Sequence, residues 1–376
     1  MRTPILQSDH SRERAGCFNR ANSRVGLNMT PIVYILHSGN LYGTERMALA
    51  TMTGLRQQGH GLLLAPPGPA HAEALALGIP SQVFRSSGGL LRRLKPVLRK
   101  HPELNLIATG VSHSLVAHAL SRMLACRLNH LHVVHGGTDE RLSYGRKALL
   151  NRLPVTLVAV SGFVRERLLA HGCRKERIQV VENFLPAAAH RQRGAGEIAA
   201  IGRVAIVSRV DPIKRVGLLF DAIERRPALR GLQFEVFGEG GEFHALKQRS
   251  RALPNVQLHG YQPDAAQRLA DYDLLLHTCG EEPFGLAILE AMASGIPVLV
   301  PNTGGAGALV DDERTGFHFP ANCSGGLANR LETLRGVATT TLASVTAAAQ
   351  REVKARFSPE RGLAQYAQLL AEGTRA

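Results

Sequence analysis

The run from Thr278 to Gly305 holds the densest set of side chains that could do chemistry. It reads Thr278-Cys279-Gly280-Glu281-Glu282-Pro283-Phe284-Gly285-Leu286, then a helical pattern carrying Glu290, then Gly304-Gly305. A strand should end near Thr278, with a loop passing into a helix that starts between Phe284 and Leu286. The first N–H groups of a helix have no intrahelical acceptor and lie at the positive end of its dipole, so this start suits phosphate. Glu282 lies in the loop and Glu290 about one and a half turns into the helix. Carboxylates accept hydrogen bonds from hydroxyl groups. Taken singly, Glu282 is equally a favourable charge at a helix N-terminus and Glu290 a solvated helix residue; their shared context favours a site.

Arg209 closes an apolar run in Ser208-Arg209-Val210-Asp211-Pro212-Ile213-Lys214, and Lys214 opens the next helix. Two cations at a strand's carboxyl end, facing the helix start at Leu286, suit a diphosphate. Gly238-Glu239-Gly240-Gly241 is a tight strand-to-helix turn without the full G-x-G-x-x-G register of nicotinamide binders. In the first half, His37-Ser38-Gly39-Asn40 ends a strand and leads through Tyr42-Gly43-Thr44-Glu45-Arg46 into a helix. A glycine there, Gly39, can approach a phosphate closely. His135 ends another strand and could exchange hydrogen bonds or a proton with a ligand. There is no G-x-x-x-x-G-K-S/T, H-E-x-x-H or G-x-S-x-G. His113 and His118 share a helix face poorly, and no metal site is expected.

These residues need a scaffold that brings strand ends together. Apolar runs at 32–36, 61–65, 104–108, 131–134 and 155–160 alternate with helical patterns such as 43–58, 112–126 and 161–171. The alternation restarts at 204–208, 232–237, 255–258, 273–276 and 297–300, with helices at 214–226, 241–250, 264–270 and 285–294. This predicts an α/β chain of two doubly wound parallel-sheet domains in series, with ligands bound at the carboxyl ends of the strands. The domains are placed at 29–190 and 201–357, with a linker at 191–200. A C-terminal helix within 358–376 is expected to pack back toward the first domain. Residues 1–28 carry no apolar core of a secretory signal; they read as a leader ahead of a true start at Met29, or as a disordered basic arm.

Of 376 residues, 44% are hydrophobic and 20% charged, which excludes a wholly disordered chain. No apolar run reaches the ~18 residues of a membrane helix. The five cysteines are scattered, which fits a reducing compartment. The net charge of +15 points to an anionic partner. Nearly all of it lies early: residues 29–190 carry nineteen Lys and Arg against eight acids, whereas 191–376 carry twenty-one against twenty. Trp is absent and aromatics are 5%, which weakens a nucleic-acid reading based on base stacking.

Together these residues resemble the family 4 glycosyltransferases, retaining enzymes of the GT-B fold, over residues 30–372. The E-x7-E motif is Glu282 to Glu290, followed by the family's run to Val298; Gly304-Gly305, Thr315-Gly316 and Asn183 also match. The resemblance implies that Glu282 binds hydroxyls of a donor sugar and Glu290 the ribose of its nucleotide. Amides of Phe284, Gly285 and Leu286, with Arg209 and Lys214, would hold the diphosphate, and Gly39 would close over it. His135 would touch the transferred sugar, the base would lie near Gly260 and Tyr261, and Tyr42, Gly43, Thr44 and Glu45 would face the acceptor. Two departures, Ala308 in place of a family Glu and a single Gly39 where many members have two glycines, leave the donor less defined.

The implied activity moves a hexosyl unit from a nucleoside diphosphate sugar, UDP- or GDP-linked, to a saccharide or lipid-linked acceptor, with retention. Cell-surface polysaccharide or glycolipid synthesis is the implied setting. Glu282, His135, Arg209 and Lys214 would carry catalysis without a metal or other cofactor, because the cations replace one. The basic first domain would meet an anionic membrane surface from the cytoplasmic side. Leu90–Lys100 and Arg141–Lys147 are the candidate contacts. A sugar-nucleotide epimerase is the alternative enzyme and a nucleic-acid binder the alternative of another class.

Overall fold

The computed structural model describes residues 30–137, 140–186, 191–194, 198 and 200–373. The expectation for residues 1–28 lies outside the described residues, and that for the linker does so in part. The first sheet has seven parallel strands: β1 (Ile32–Ile35), β2 (Gly61–Ala65), β3 (Ser81–Val83), β4 (Glu103–Ala108), β5 (Arg127–Val134), β6 (Val155–Ala159) and β7 (Ile178–Val180), in the order β3-β2-β1-β4-β5-β6-β7. The second has six: β8 (Arg203–Val207), β9 (Gln233–Phe237), β10 (Val256–Gly260), β11 (Leu274–Leu276), β12 (Val298–Pro301) and β13 (Phe317–Phe319), in the order β10-β9-β8-β11-β12-β13. Central strands such as β1, β11 and β12 are buried along their whole length. Helices cover both faces of such sheets, so these strands are continuously apolar instead of alternating.

In each sheet the winding reverses once, between β1 and β4 and between β8 and β11. The connections leave in opposite directions there and open a crevice at the carboxyl ends. The loops that carry Gly39, Thr109, Arg209 and Glu282 all start at these two reversal points.

The first domain's helices are α1 (Gly43–Gly54), α2 (Ala70–Ala76), α3 (Ser87–Lys100), α4 (Val111–Met123), α5 (Glu140–Ser143) and α6 (Gly162–Ala170). The second has α7 (Gly217–Arg225), α8 (Phe243–Arg249), α9 (Leu286–Ala293), α10 (Gly304–Leu309), α11 (Ser324–Arg335) and α12 (Thr339–Arg356). The 264–270 segment, read as a helix, forms instead a short 3-10 turn at Gln267–Asp271. The last helix, α13 (Pro359–Gly373), lies on the first domain. Tyr366 and Leu370 join the same buried cluster as Tyr34 and Met47, and the Asn129 side chain donates to the Leu370 carbonyl at 2.6 Å. The crossover is fixed at Leu185, whose N–H donates to Phe357 O, and by Arg356 on Glu182 at 2.7 Å.

One polar seam runs through this core. His118 Nε2 lies 2.9 Å from His130 Nδ1, His130 Nε2 3.1 Å from Ser114 Oγ, and Ser114 Oγ 2.9 Å from His132 Nδ1. The seam pins α4 to β5, whose cleft-facing ends carry His113 and His135. Burial holds His130 and His132 well below the ordinary histidine range, with His118 and Lys147 adding to it. His113 is pushed down to about 4 and His135 to about 3, first by burial and then by His37. An unfolded histidine titrates near 6.5, so below that pH the unfolded chain binds more protons than the folded one. The stability these neutral rings confer is complete above about pH 6.5 and is lost as pH falls through the folded values. Ring resonances of His113 and His135 should therefore stay in the neutral form down to about pH 5. Over the same range thermal stability should already decline. Rings that titrate near 6.5 would contradict the packing described.

Candidate active site

The loop from His277 to Gly285 is built by β11 below it and α10 beside it. Gly304 adopts φ +72°, and Gly305 packs so tightly that a Cβ there would stand 2.2 Å from Pro283 O. Gly305 N–H donates to Glu282 O at 2.6 Å. The Gly-Gly pair is thus required by close approach: any side chain would push the Glu282 loop away. Gly285, at φ +107°, turns the chain into α9. The first helical bond is Ile288 N–H to Gly285 O at 3.0 Å, so the N–H groups of Leu286 and Ala287 precede it and point out of the helix start.

Against this loop stands Lys214. Its carbonyl accepts the Thr278 hydroxyl at 2.6 Å, which ties the β8 loop to the end of β11. Its Nζ lies 2.6 Å from Glu282 Oε2, with side-chain exposures of 15% and 12%. Burial alone would disfavour both charges. For Glu282, Lys214 and His277 outweigh it and hold the carboxyl well below its usual range. For Lys214, Glu282 and Cys279 raise the ammonium above its ordinary value. The pair is therefore ionised, beside the α9 N-terminus. His277 Nε2 comes within 3.2 Å of the same oxygen, near enough to favour its charge although poorly aligned for a hydrogen bond. Arg209 is more exposed and is paired with Asp211.

The first domain closes over the loop. Ser161 Oγ donates to Pro283 O at 2.6 Å, and Gly136 packs on the Pro283 ring. Leu286 reaches Gly43 at the start of α1. Arg46 on α1 donates to Glu290 Oε1 at 2.5 Å, and Glu290 is 2% exposed. Tyr42 meets Tyr261 edge-on, ring centroids 6.3 Å apart. His135 Nε2 is buried here and finds no hydrogen-bond partner among the described residues.

A profile described as Glycosyltransferase Family 4 matches residues 42–188, and one described as Glycosyl transferases group 1 matches residues 201–335. The chain belongs to the family 4 glycosyltransferases. As such, it is similar to a GDP-mannose-dependent alpha-mannosyltransferase of Mycobacterium tuberculosis, 30% identical over 46% of this chain and 45% of that one. A lipopolysaccharide core biosynthesis glycosyltransferase of Rhizobium meliloti, LpsE, is 27% identical over 63% and 68%. The match to the first of these relatives thus spans less than half of its length. Among solved structures, Anabaena Alr3699/HepE superposes with a TM-score of 0.79 at 23% identity, covering 91% of this chain and 99% of that one. The lipopolysaccharide outer core galactosyltransferase WaaB superposes at 0.70 and 16% identity, covering 91% and 99%. The fold is GT-B, with two Rossmann-like domains across a cleft.

Within this glycosyltransferase the residues singled out from sequence take several positions. Lys214, Glu282, Gly285 and Leu286 come together at one point, with Arg209 on the adjoining strand end. Phe284 turns into the core against Phe357, leaving its backbone at the loop. Gly260, at φ +76°, and Tyr261 lie at the end of β10, where Glu239 approaches Gly260. Gly39 is buried, with Pro66 O and Pro67 O within 2.5 Å of where its Cβ would be, so packing accounts for this glycine. Glu45 is buried and accepts the Tyr42 N–H at 3.0 Å, capping its own helix; Tyr42, Gly43 and Thr44 form the α1 start beside it. Sequence reasoning singled out neither Arg46 nor His277. Arg46 lies within a quoted motif, but its partner is 244 residues away.

The ion pair can be tested by a double-mutant cycle. Lys214→Ala alone should cost about 3 kcal/mol, because it strands a buried carboxylate. Adding Glu282→Gln should restore part of that loss in denaturant titrations. Additive losses would show that the two charges do not act as a pair.

Proposed function

We propose that the chain transfers a hexosyl unit, with retention, from a nucleoside diphosphate sugar to a saccharide or lipid-linked acceptor of a cell-surface polysaccharide or glycolipid. The observation that carries this reading is the ionised Lys214–Glu282 pair beside the α9 N-terminus, at the reversal point of the second sheet. A diphosphate against the amides of Gly285, Leu286 and Ala287 would be neutralised by Lys214 and by Arg209 swinging from Asp211. Glu282, oriented by Lys214, would accept hydrogen bonds from sugar hydroxyls. Glu290 would hold the ribose, its carboxylate oriented by Arg46. The base would lie near Gly260 and Tyr261.

For the chemical step, no carboxylate of the site reads as a nucleophile, since Glu282 is committed to Lys214. A front-side displacement fits: the bond to the leaving phosphate oxygen breaks as the acceptor oxygen bonds on the same face. The leaving phosphate then takes the acceptor proton. Positive charge fixed before reaction lowers the cost of that leaving group, and no metal is needed in this scheme. His135, neutral throughout the physiological range, would offer a hydrogen bond to the transferred sugar rather than a charge. The relatives named for a GDP-mannose donor and for lipopolysaccharide core synthesis support the donor and product classes, as does the HepE fold, described in complex with UDP-glucose.

The donor half is tested by thermal shift with UDP, GDP, ADP and CMP. One nucleoside diphosphate should raise Tm, and Glu290→Ala should weaken its binding about tenfold or more through the lost ribose contact. A variant that binds as tightly as wild type would remove Glu290 from that role.

The acceptor half concerns a membrane surface. Among the described residues no helix is long and apolar enough to cross a membrane. On α3 the apolar stripe Leu90, Leu94 and Leu98 is spent in the core, so this helix cannot insert it. What remains outside on α3 is a basic face with Arg92, Arg93 and Lys95 beside exposed Leu91, next to exposed Leu115 on the adjacent α4. Such a surface would bind anionic headgroups peripherally, at about 1 kcal/mol per cation. The protein should sediment with phosphatidylglycerol vesicles in low salt and be released by high salt. Arg92→Glu/Arg93→Glu should abolish sedimentation. Equal binding to neutral vesicles would contradict an electrostatic contact.

A further inference from the structure

His277 follows β11, Cys279 comes two residues later and Glu282 three beyond, so one short loop carries three side chains with metal-ligand chemistry. One ligand atom from each lies within 4.8 Å of the other two, and no other trio among the described residues meets that spacing. His277 is 5% and Cys279 1% exposed, while the Glu282 side chain is 12% exposed. A nitrogen, a sulfur and an oxygen donor together suit zinc or cobalt; magnesium and calcium take oxygen donors. The reach of the loop is set by Gly304 and Gly305, which hold Glu282 down toward β11.

Lys214 stands in the way. Its ammonium is 2.6 Å from Glu282 Oε2. A divalent cation bonded to that oxygen would sit within a few ångströms of the ammonium, and the repulsion would expel it. We infer that His277, Cys279 and Glu282 form a latent site for a thiophilic divalent cation such as Zn²⁺, exclusive with the Lys214–Glu282 pair, whose occupation switches the donor site off. The inference rests on the proposed function only for that last clause. On binding, Cys279 releases its thiol proton to solvent and all three side chains donate lone pairs; no electron is transferred. The metal therefore competes with the Lys214 ammonium for the Glu282 carboxylate.

The probe is Co²⁺ titrated into the full chain, read by sulfur-to-cobalt charge-transfer absorption. The band should saturate at about one equivalent and disappear on adding Zn²⁺. It should be lost in Cys279→Ser and kept in Cys323→Ser, which alters an exposed cysteine that is not part of the site. Lys214→Gln should tighten Co²⁺ at least about tenfold, because the competing ammonium is gone. A band that survives Cys279→Ser places the metal on another thiol and overturns the site. Unchanged affinity in Lys214→Gln overturns the exclusion. Should Cys279→Ser fail to melt cooperatively, His277→Gln, which retains every cysteine, must weaken binding for the site to stand. These readouts need no sugar transfer, so the site can fail while the proposed function stands. The switch itself requires that Zn²⁺ abolish the thermal shift given by the active nucleotide in wild type and spare it in Cys279→Ser.

Discussion

A lysine ammonium held against a nearly buried carboxylate is a costly arrangement to build, and the cleft of this protein is organised around one. Desolvation works against both Lys214 and Glu282, and their attraction outweighs it because the separation is 2.6 Å. Holding that distance demands rigidity on both sides. Thr278 ties the lysine's backbone to the end of β11. Gly304 and Gly305 let α10 press directly on the backbone of Glu282 and Pro283. The glycines of the motif are therefore part of the electrostatics: they fix where the carboxylate stands, and so where the ammonium stands. In the proposed reading, a phosphate at the α9 N-terminus would meet a cation already in place, with little reorganisation.

The same loop is the contact between the domains. Pro283 receives Ser161 and Gly136, Leu286 receives Gly43, and Glu290 receives Arg46. Phe284 and Phe357 carry the apolar core across the boundary without interruption. In the proposed reading, donor recognition and the contact between the domains would draw on adjacent atoms of one segment. A shift of the loop would therefore disturb the Arg46 and Ser161 contacts together. α12 carries the chain back to the first domain, where the Leu185 N–H donates to Phe357 O and α13 joins the core.

The legibility of this chain in its sequence follows from where each signal is stored. The central strands could be read because burial on both faces makes them uninterrupted apolar runs. The strands β3, β7 and β13 have three residues each and lie at sheet edges, so they carry too little pattern to find. The E-x7-E segment was legible because its chemistry is local: loop, helix start and both carboxylates fall within nine consecutive residues. Lys214 was legible as a cation at a strand end, but its partner was not, since the contact joins loops 68 residues apart. The Arg46–Glu290 pair was out of reach for the same reason, magnified by the domain boundary.

Two residues show how a correct position can carry an unexpected task. Gly39 stands at the first reversal point, where a glycine is expected for the sake of a ligand, yet the Pro66 and Pro67 carbonyls already require it. Glu45 stands beside the cleft with a carboxylate suited to a hydroxyl, yet burial raises its pKa while the Tyr42 N–H and its own backbone hold it in a helix cap. Both tasks are local to the first domain and would be needed whatever the enzyme binds. The cleft is thus built from two kinds of residue. One kind maintains the geometry of its own domain, and the other, centred on Lys214 and Glu282, places paired charges beside the α9 N-terminus. Sequence motifs record the two alike; hydrogen-bond partners and burial separate them.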